Sequence, residues 1–315
     1  MPLNTYGKVY LVGAGPGQPE LLTRKAERLI RSADIILYDR LVNPFILQLV
    51  RPEIEIINVG KEAYRKHIQQ KVINEKLISA AKHHKCVVRL KGGDPAIFGR
   101  VHEEVVTLSQ AGIDFEVVPG ITTASAAVAS VGLGLTIRNV AQSVTFTTGH
   151  LNKNSQQQVD VTALINGGTL AIYMGVKRLS EIMNDIYQTI QVDYPVLLIF
   201  NVSSFNEKHI IGTVTTIAEQ VSDDLEQISP GIVIVGDMAA YENIKSTLKK
   251  CTSKKHLISG PRLQAIEQAF DIYENGGWCL INPDEKHELH HSQQLFIEQQ
   301  LMQHFDEKIH SKDIK

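Results

Sequence analysis

The stretch KVYLVGAGPGQPELLT, residues 8–23, decides the fold class, because an apolar run turns directly into a glycine-rich loop. Gly13, Gly15 and Gly17 permit positive φ and close approach of a ligand to the backbone, and the helix predicted next offers free N–H groups. A dinucleotide-binding loop needs GxGxxG and an acidic residue about 20 positions later, but the third glycine comes one residue early. A plain strand-to-helix turn is the alternative reading.

The same alternation continues outward to residue 118. Further apolar runs are DIILY (34–38), EIEIINVG (53–60), CVVRL (86–90) and DFEVV (114–118). A helix between the second and third of these carries an apolar stripe at 3.6-residue spacing, formed by Ile68, Val72, Ile73, Leu77, Ile78 and Ala81. Short apolar strands separated by helices indicate a parallel sheet covered on both faces.

The small-residue segment 121–135 predicts a tightly packed helix and a linker, so we place the end of a first α/β domain, 1–134, at Gly134. A second α/β domain, 135–241, contains the next five apolar strand runs. Residues 242–315 form a small α/β appendage whose role the sequence leaves open. In the appendage we expect a helix opened by Pro261, the strand WCLIN, and a charged helix from about Glu288 to Phe305.

Composition restricts the class of protein. The 315 residues are 43% hydrophobic and 21% charged, which excludes a disordered or fibrous chain. A net charge of −2 from 32 basic and 34 acidic residues gives no general attraction for nucleic acid or an anionic membrane. No apolar stretch approaches the ~20 residues of a membrane helix and no signal peptide is apparent, so we expect a cytoplasmic protein.

Cysteine and histidine patterns predict neither a disulfide framework nor a metal. Cys86, Cys251 and Cys279 are scattered and odd in number, so we interpret them as packing residues. His287 and His291 are four apart on a predicted helix, a spacing that can bind zinc, but no third ligand is evident nearby.

Two more strand ends carry glycine turns. In VVRLKGGDPAIFGR, residues 87–100, Asp94 follows two glycines and is either a ligand contact or an ordinary turn aspartate. In VVPGITTAS, residues 117–125, Thr122 and Thr123 offer hydroxyls or a simple helix cap. Because parallel strands end at one edge of a sheet, the three loops should line one crevice there.

Six segments carry a resemblance. VGAGPGQPELLT, ADIILYDRLV, VVRLKGGDPAIFGR, FEVVPGIT, AQSVTFTTGH and IYMG occur in the same order and at similar spacings as in uroporphyrinogen-III C-methyltransferases. The match runs from about Gly7 to Met238. Several of these motifs are shared with related tetrapyrrole methyltransferases, whereas LKGGDPxIFGR together with AQSVTFTTGH is more specific to this branch. The chain is identified by them as a member of that family.

The resemblance implies two α/β domains with S-adenosylmethionine in the cleft between them, normally in a homodimer. It implies methyl transfer to carbons 2 and 7 of uroporphyrinogen III, which gives precorrin-2 for sirohaem or cobalamin synthesis. The family's cofactor contacts carry over to Pro16, Gly92, Gly93, Asp94, Ile97, Thr122, Thr123 and Met174, and Val202 takes the place of a further family glycine.

The same resemblance implies that Asp39 is the proton acceptor and Lys61 the proton donor, and that Arg100 with Glu103 or Glu104 contacts the substrate. A carboxylate suits this reaction, because cationic charge develops on the ring until a proton leaves. From the sequence alone, Asp39 could instead be a cap or turn residue before Pro44. A substrate rich in carboxylates needs placed cations, and the candidates are Arg40, Lys61, Arg100 and Arg138, each of which could be an ordinary solvated charge.

Some positions depart from the family pattern, and they bear on methylation pattern and rate. They are Val101 and His102 for a glycine pair, Ile137, Asn139 and Val140 for His, Asp and Tyr, and Val202. Three alternatives remain: a methyltransferase of the same architecture acting on a later corrin precursor, a tetrapyrrole-binding protein without catalysis, and, most distantly, a dehydrogenase.

Overall fold

The computed structural model describes residues 6–60, 70–149, 159–222, 230–240 and 254–311. Its strands are β1 (Lys8–Gly13), β2 (Ile35–Tyr38), β3 (Glu55–Asn58), β4 (Cys86–Lys91), β5 (Phe115–Val118), β6 (Val144–Thr148), β7 (Thr169–Tyr173), β8 (Pro195–Phe200), β9 (Lys208–Thr213), β10 (Gly231–Val235), β11 (Lys255–Gly260), β12 (Trp278–Pro283) and β13 (Glu307–His310). Its α-helices are α1 (Arg24–Ser32), α2 (Pro44–Leu47), α3 (Gln70–His83), α4 (Val101–Gln110), α5 (Thr123–Ser130), α6 (Thr162–Ile165), α7 (Leu179–Ile190), α8 (Arg262–Glu274) and α9 (His291–Leu301).

The first sheet has the order β3-β2-β4-β1-β5, and all its pairings are parallel, as the alternating pattern predicts. Central strands β1 and β4 are almost entirely buried, which suits a sheet covered on both faces. Helices α3 and α4 cover one face, where Leu77 and Leu108 pack on Leu11 and Leu37.

The predicted stripe of α3 is partly wrong. Ile73, Leu77 and Ala81 are buried as expected, but Val72 is 39% exposed. The buried face is completed by Ala80 instead, so the helix is rotated away from Val72. Ile68 lies outside the described residues.

The second sheet has the order β6-β7-β10-β8-β9 and is mixed. Only β6 and β7 pair in parallel, while β10 is antiparallel to both of its neighbours and β8 is antiparallel to β9. Helix α7 packs one apolar face, including Leu179 and Ile186, into the core of this unit. All five strand runs expected from the sequence are present.

The third sheet is parallel with the order β12-β11-β13, and α8 and α9 connect its strands. Helix α8 begins after Pro261 as expected, and Gly276 with φ of 85° follows its end. The expected charged helix is shorter than predicted and begins at His291, because Lys286–Glu288 forms a separate 3-10 turn. Strands β11 and β13 were not predicted.

The chain forms two compact units, one made of Met1–Thr122 with Cys251–Lys315 and the other of Thr123–Lys250. The second unit therefore begins with α5, which packs against β10. The third sheet belongs to the same unit as the first. Division into three domains at residues 134 and 241 stays a prediction. Among the described helices, none is long and apolar enough to cross a membrane.

Candidate functional site

Three loops meet at the carboxyl edge of the first sheet, where β1, β4 and β5 end side by side. Gly15 N donates to Gly93 O at 3.1 Å, and Gly93 N donates to Gly15 O at 2.7 Å. A Cβ atom on Gly120 would lie 2.3 Å from Gly93 O, and one on Gly13 would lie 2.7 Å from the α-carbon of Gly120. The loops therefore pack backbone against backbone, and the expected meeting of three strand ends is confirmed. We name this the glycine edge.

Asp94 ties two of these loops together. Its Oδ1 accepts from Ala96 N at 2.7 Å, and its Oδ2 accepts from Gly120 N at 3.0 Å. The carboxylate thus acts first as a turn residue that links the end of β4 to the end of β5. A carboxylate has about four acceptor positions, so contact of Asp94 with a ligand stays a prediction. Pro16 and Ile97 are half-buried beside it.

Asp39 directly follows β2 and is held by a buried arginine. Arg89 Nη2 donates to Asp39 Oδ1 at 2.5 Å, and the Asp39 side chain is 31% exposed while that of Arg89 is 2% exposed. Asn43, not Asp39, caps α2, because Asn43 Oδ1 accepts from Phe45 N at 2.9 Å. Asp39 is therefore fixed on its inner side and open to solvent on the other.

Arg89 belongs to a buried chain of charges that continues under the sheet edge. Its Nε donates to Glu104 Oε1 at 3.1 Å, and Lys91 Nζ donates to both Glu104 oxygens at 3.0 and 2.9 Å. Glu104 is fully buried, and Lys91 is 4% exposed. We name Asp39, Arg89, Glu104 and Lys91 the charge row. Its two cations and two carboxylates balance in charge.

The charge row is embedded in the apolar core of the first unit. On β4, Arg89 lies in register between Leu11 of β1 and Leu37 of β2. Burial lowers the pKa of Lys91, neighbouring Arg89 lowers it further, and Glu104 opposes both effects. Buried charges are tolerated only when they are paired and hydrogen-bonded, so each member of the row depends on the others.

Arg100 and Glu103 form a separate, exposed pair at the start of α4. Arg100 Nε and Nη2 donate to the two Glu103 oxygens at 2.8 and 2.6 Å, and the side chains are 58% and 46% exposed. The hydrogen bond from Arg100 lowers the pKa of Glu103 below its ordinary value. Of the two glutamates offered by the sequence, Glu103 is therefore at the surface, whereas Glu104 is enclosed and holds Arg89 and Lys91.

Two further candidate cations lie at exposed positions. Arg40 follows Asp39, and its backbone lies against Gly60, where a Cβ atom would be 2.5 Å from Arg40 N. Lys61, the next residue, lies outside the described residues. Arg138 is exposed in the turn between Ile137 and Ala141 of the second unit.

The second unit presents candidate residues at an edge of its own. Strands β7 and β8 are both antiparallel to β10, so they run in one direction, and Met174 and Val202 follow their carboxyl ends. Met174 is 55% exposed and has φ of 54°, while Val202 is 5% exposed. Such left-handed backbone costs ~1–2 kcal/mol per residue, which is typical of constrained functional loops. Thr123 opens α5 and is half-buried, as is Thr122 in the first unit.

The histidine pair of the C-terminal region does not share a helix. His287 lies in the 3-10 turn Lys286–Glu288, and His291 is the first residue of α9. Within the described ranges, no group of three or more His, Cys, Asp or Glu residues could hold a metal ion.

Sequence reasoning missed Arg89 and Lys91, although the strand carries a signal. In VVRLK, two charged residues occupy one face of a strand whose apolar neighbours mark it as central and buried. A charged pair inside such a strand requires buried partners. Two exposed apolar side chains near the site were also missed. Leu41, in the loop after β2, is 59% exposed, and Phe98, in the loop after β4, is 40% exposed.

The fold and site first define a class: α/β proteins that bind a ligand at glycine-rich carboxyl ends of parallel strands, beside a fixed carboxylate. The sequence profile of the tetrapyrrole (corrin/porphyrin) methylases matches residues 8–218, and the chain belongs to this family. The resemblance drawn from the six motifs is confirmed.

Curated relatives fall into two kinds. The chain is 41% identical over 250 residues to the uroporphyrinogen-III C-methyltransferase of Bacillus subtilis, covering 78% of this chain and 97% of that protein. It is 43% identical over 235 residues to the siroheme synthase of Acinetobacter baylyi, covering 74% of this chain and 51% of that protein. The chain thus spans about half the length of the siroheme synthases that it matches.

Solved structures give the same family. The uroporphyrin-III C-methyltransferase of Thermus thermophilus, complexed with S-adenosylhomocysteine, aligns with a TM-score of 0.63 and 36% identity over 74% of this chain and 99% of that one. A cobalt precorrin-4 methyltransferase aligns with a TM-score of 0.65 and 26% identity over 75% of this chain and 97% of that one.

Proposed function

We propose that this protein transfers methyl groups from S-adenosylmethionine to carbons 2 and 7 of uroporphyrinogen III and so makes precorrin-2 for sirohaem or cobalamin synthesis. One observation carries the proposal: a 41% identity that covers nearly the whole of a uroporphyrinogen-III C-methyltransferase. Asp39, Arg100 and the glycine turn of that family's motifs are all retained here. We propose a homodimer, as the family resemblance implies, and a cytoplasmic location, as expected from the sequence.

The residues of the glycine edge fit a methyl donor of this kind. Half-buried Pro16 and Ile97 offer apolar surface, Thr122 adds a hydroxyl, and Asp94 has acceptor capacity beyond its two backbone bonds. A Cβ atom on Gly92 would meet only Leu41, at 3.2 Å, so the outer side of this turn is bare backbone. As the family resemblance implies, we propose Thr123, Met174 and Val202 as further contacts of the donor.

S-adenosylmethionine, when bound, supplies a methyl carbon activated by its sulfonium. Asp39 stabilises the cationic charge on the tetrapyrrole ring and accepts the proton that the ring gives up. Arg89 keeps Asp39 in one orientation, because Arg89 is itself fixed by Glu104 and by the carbonyl of Leu90 at 3.1 Å. We propose Lys61 as the matching proton donor.

The acetate and propionate groups of the substrate need cations at the surface. Arg100 is exposed, and with its Nε and Nη2 bonded to Glu103, its Nη1–Nη2 edge still provides a guanidinium fork that matches a carboxylate with two parallel hydrogen bonds. Glu103 holds that fork in place and is proposed to contact the substrate with it. Arg40 and Arg138 are exposed and are proposed as further partners for substrate carboxylates.

The test is to incubate the purified protein with uroporphyrinogen III and S-adenosylmethionine in the absence of oxygen and to measure the mass of the tetrapyrrole. We expect the mass of two added methyl groups, and no gain without the donor. Methylation of only a later corrin precursor would replace this proposal with the same chemistry on another acceptor. Tight binding of uroporphyrinogen III without any mass gain would favour a binding protein.

A further inference from the structure

The C-terminal segment, residues 254–311, is hydrogen-bonded to the residues around α2 within the same compact unit. Gln48, which is buried behind α2, pairs with β12 as a strand would: its Nε2 donates to Ile281 O at 2.6 Å, and Ile281 N donates to its Oε1 at 2.9 Å. Arg262 Nη2 donates to Gln48 O at 2.5 Å and to Val50 O. The segment therefore docks specifically rather than by apolar contact alone.

A second set of bonds fixes the start of α9. The buried Gln293 places its Nε2 within 2.9 Å of the carbonyl oxygens of Arg51, Pro52 and Ile54. Ser292 Oγ accepts from Ile56 N of β3 at 2.9 Å. These bonds join the start of α9 to residues 51–56, in the stretch that runs from α2 into β3. None of these bonds involves the glycine loop. They offer a way to loosen docking without touching that loop.

A third set reaches the two loops of the proposed site. Tyr273, at the end of α8, donates its hydroxyl to Asn43 Oδ1 at 3.1 Å, and its carbonyl accepts from Gln18 Nε2 at 3.3 Å. Asn43 Nδ2 in turn donates to Gly17 O at 2.8 Å. One residue of the C-terminal segment thus joins the glycine loop, 14–18, to the turn that begins at Asp39.

The environment of Tyr273 suits a fixed connector. The residue is 4% exposed, and its ring lies against Phe45 with centroids 5.2 Å apart. Its hydroxyl also lies 3.2 Å from Cys279 O, so the proton faces two acceptors and the hydroxyl has no role as a free surface group. Burial raises the pKa of Tyr273, so the hydroxyl remains a donor throughout the ordinary pH range.

We propose that the C-terminal segment braces the donor-binding edge, with Tyr273 as a positioning residue that sets the glycine loop against the Asp39–Asn43 turn through Asn43 and Gln18. The family profile matches residues 8–218, so the brace is carried by a segment that lies outside the matched profile. The inference rests on the proposed function in one respect, namely that the glycine loop holds the methyl donor. The effect of the brace on the order of the glycine loop does not depend on which ligand the loop holds.

The test variant is Tyr273→Phe, which removes the hydroxyl and keeps the ring against Phe45. We expect the Kd for S-adenosylhomocysteine, measured by calorimetry, to rise about three- to tenfold, the equivalent of one neutral hydrogen bond. The KM for S-adenosylmethionine should rise in parallel while kcat stays near the parental value. Amide hydrogen exchange at residues 14–18 should become faster in the ligand-free protein.

Ser292→Ala is the matched control, because it removes a docking bond of the same segment to β3. We expect it to lower Tm while the Kd and the exchange of residues 14–18 stay parental. Asn43→Asp is a second variant in case Tyr273→Phe folds poorly. It keeps both acceptor roles of Asn43 but cannot donate to Gly17 O, so it should weaken donor binding in the same direction.

The brace is refuted if Tyr273→Phe binds S-adenosylhomocysteine and exchanges its loop amides as the parent does, or if Ser292→Ala changes both as strongly. Failure of the parent protein to bind S-adenosylhomocysteine would instead count against the proposed function. In that case the exchange rates of residues 14–18 in the ligand-free variants still decide whether Tyr273 orders the loop.

Discussion

The glycine edge and the charge row lie at the same end of one sheet, but they are built in opposite ways. At the glycine edge, backbone atoms of three loops touch, and the space for a single Cβ is missing at Gly13 and Gly120. In the charge row, four charged side chains fill the space under the strand ends and satisfy one another. The first depends on the absence of side chains and the second on their charge.

The glycine edge and the charge row should therefore tolerate different kinds of substitution. The glycine edge is held mainly by contacts between backbone atoms, so conservative changes nearby should matter less than added volume. In the charge row, side chains already fill the space. We therefore expect a substitution at its exposed end, Asp39, to cost less stability than the loss of a buried charge. Variants of each kind can break this contrast.

The largest effect is expected from Gly120→Ala. The new Cβ would lie 2.3 Å from Gly93 O, a backbone atom that cannot move without opening the Gly15–Gly93 pair. We expect loss of detectable S-adenosylhomocysteine binding by calorimetry and a clear fall in Tm. Gly112→Ala is the control, since its Cβ meets nothing within 4 Å and only its φ of 66° is unfavourable. Its cost should be ~1 kcal/mol, with binding unchanged. Equal effects at both sites would contradict the packing argument.

Next comes Glu104→Gln, which leaves Arg89 and Lys91 without their shared anion in a buried site. The loss of one partner of a buried ion pair costs about 3–5 kcal/mol, so the midpoint of urea unfolding should fall strongly. Glu103→Gln alters the adjacent residue, whose pair with Arg100 is exposed and whose loss should cost less than ~1 kcal/mol. Similar unfolding midpoints for the two variants would mean that the charge row does not support the first unit.

The choice between Glu103 and Glu104 also shows how far sequence reasoning reaches. Strand β4 and its glycine turn were predicted, but which glutamate faces inward depends on the rotation of α4. Glu104 and Leu108 are four residues apart, so they lie on the same face of α4, and both are fully buried. The apolar Leu108 marks that face as the inner one and so identifies Glu104 as the glutamate that faces inward.

Other features could not be predicted for physical reasons. Strand β11 contains only two neighbouring apolar residues, Leu257 and Ile258, and depends on pairing with β12 and β13, which lie far along the chain. The link from Tyr273 to Asn43 spans 230 positions and follows from tertiary packing alone. By contrast, all five strands of the first sheet were predicted, because their apolar runs are bounded by glycine, proline and polar turns.

A smaller but more specific effect is expected from Asp39→Asn, at the exposed end of the charge row. Asparagine still accepts from Arg89, so the fold should remain, but it cannot take a proton, and turnover should fall roughly a hundredfold or more. Asp34→Asn is the control, because Asp34 precedes the same strand that Asp39 follows. Its turnover should be parental. Parental turnover in Asp39→Asn would reduce Asp39 to a structural residue and leave Lys61 as the better candidate for proton transfer.

The smallest expected effect belongs to Arg100→Ala, outside both regions. A hydrogen bond to a charged group contributes about 1.5–3 kcal/mol, and the 58% exposure of Arg100 favours the low end, so the Kd for uroporphyrinogen III should rise roughly tenfold. Arg100→Lys should recover only part of this, since a single ammonium cannot supply the two parallel bonds of a guanidinium fork. The Kd for S-adenosylhomocysteine should not change, because the glycine edge is formed by backbone groups and receives no bond from Arg100 among the described residues. If the Kd for S-adenosylhomocysteine rises instead, while the Kd for uroporphyrinogen III stays parental, Arg100 belongs to the donor site at the glycine edge and not to the substrate site.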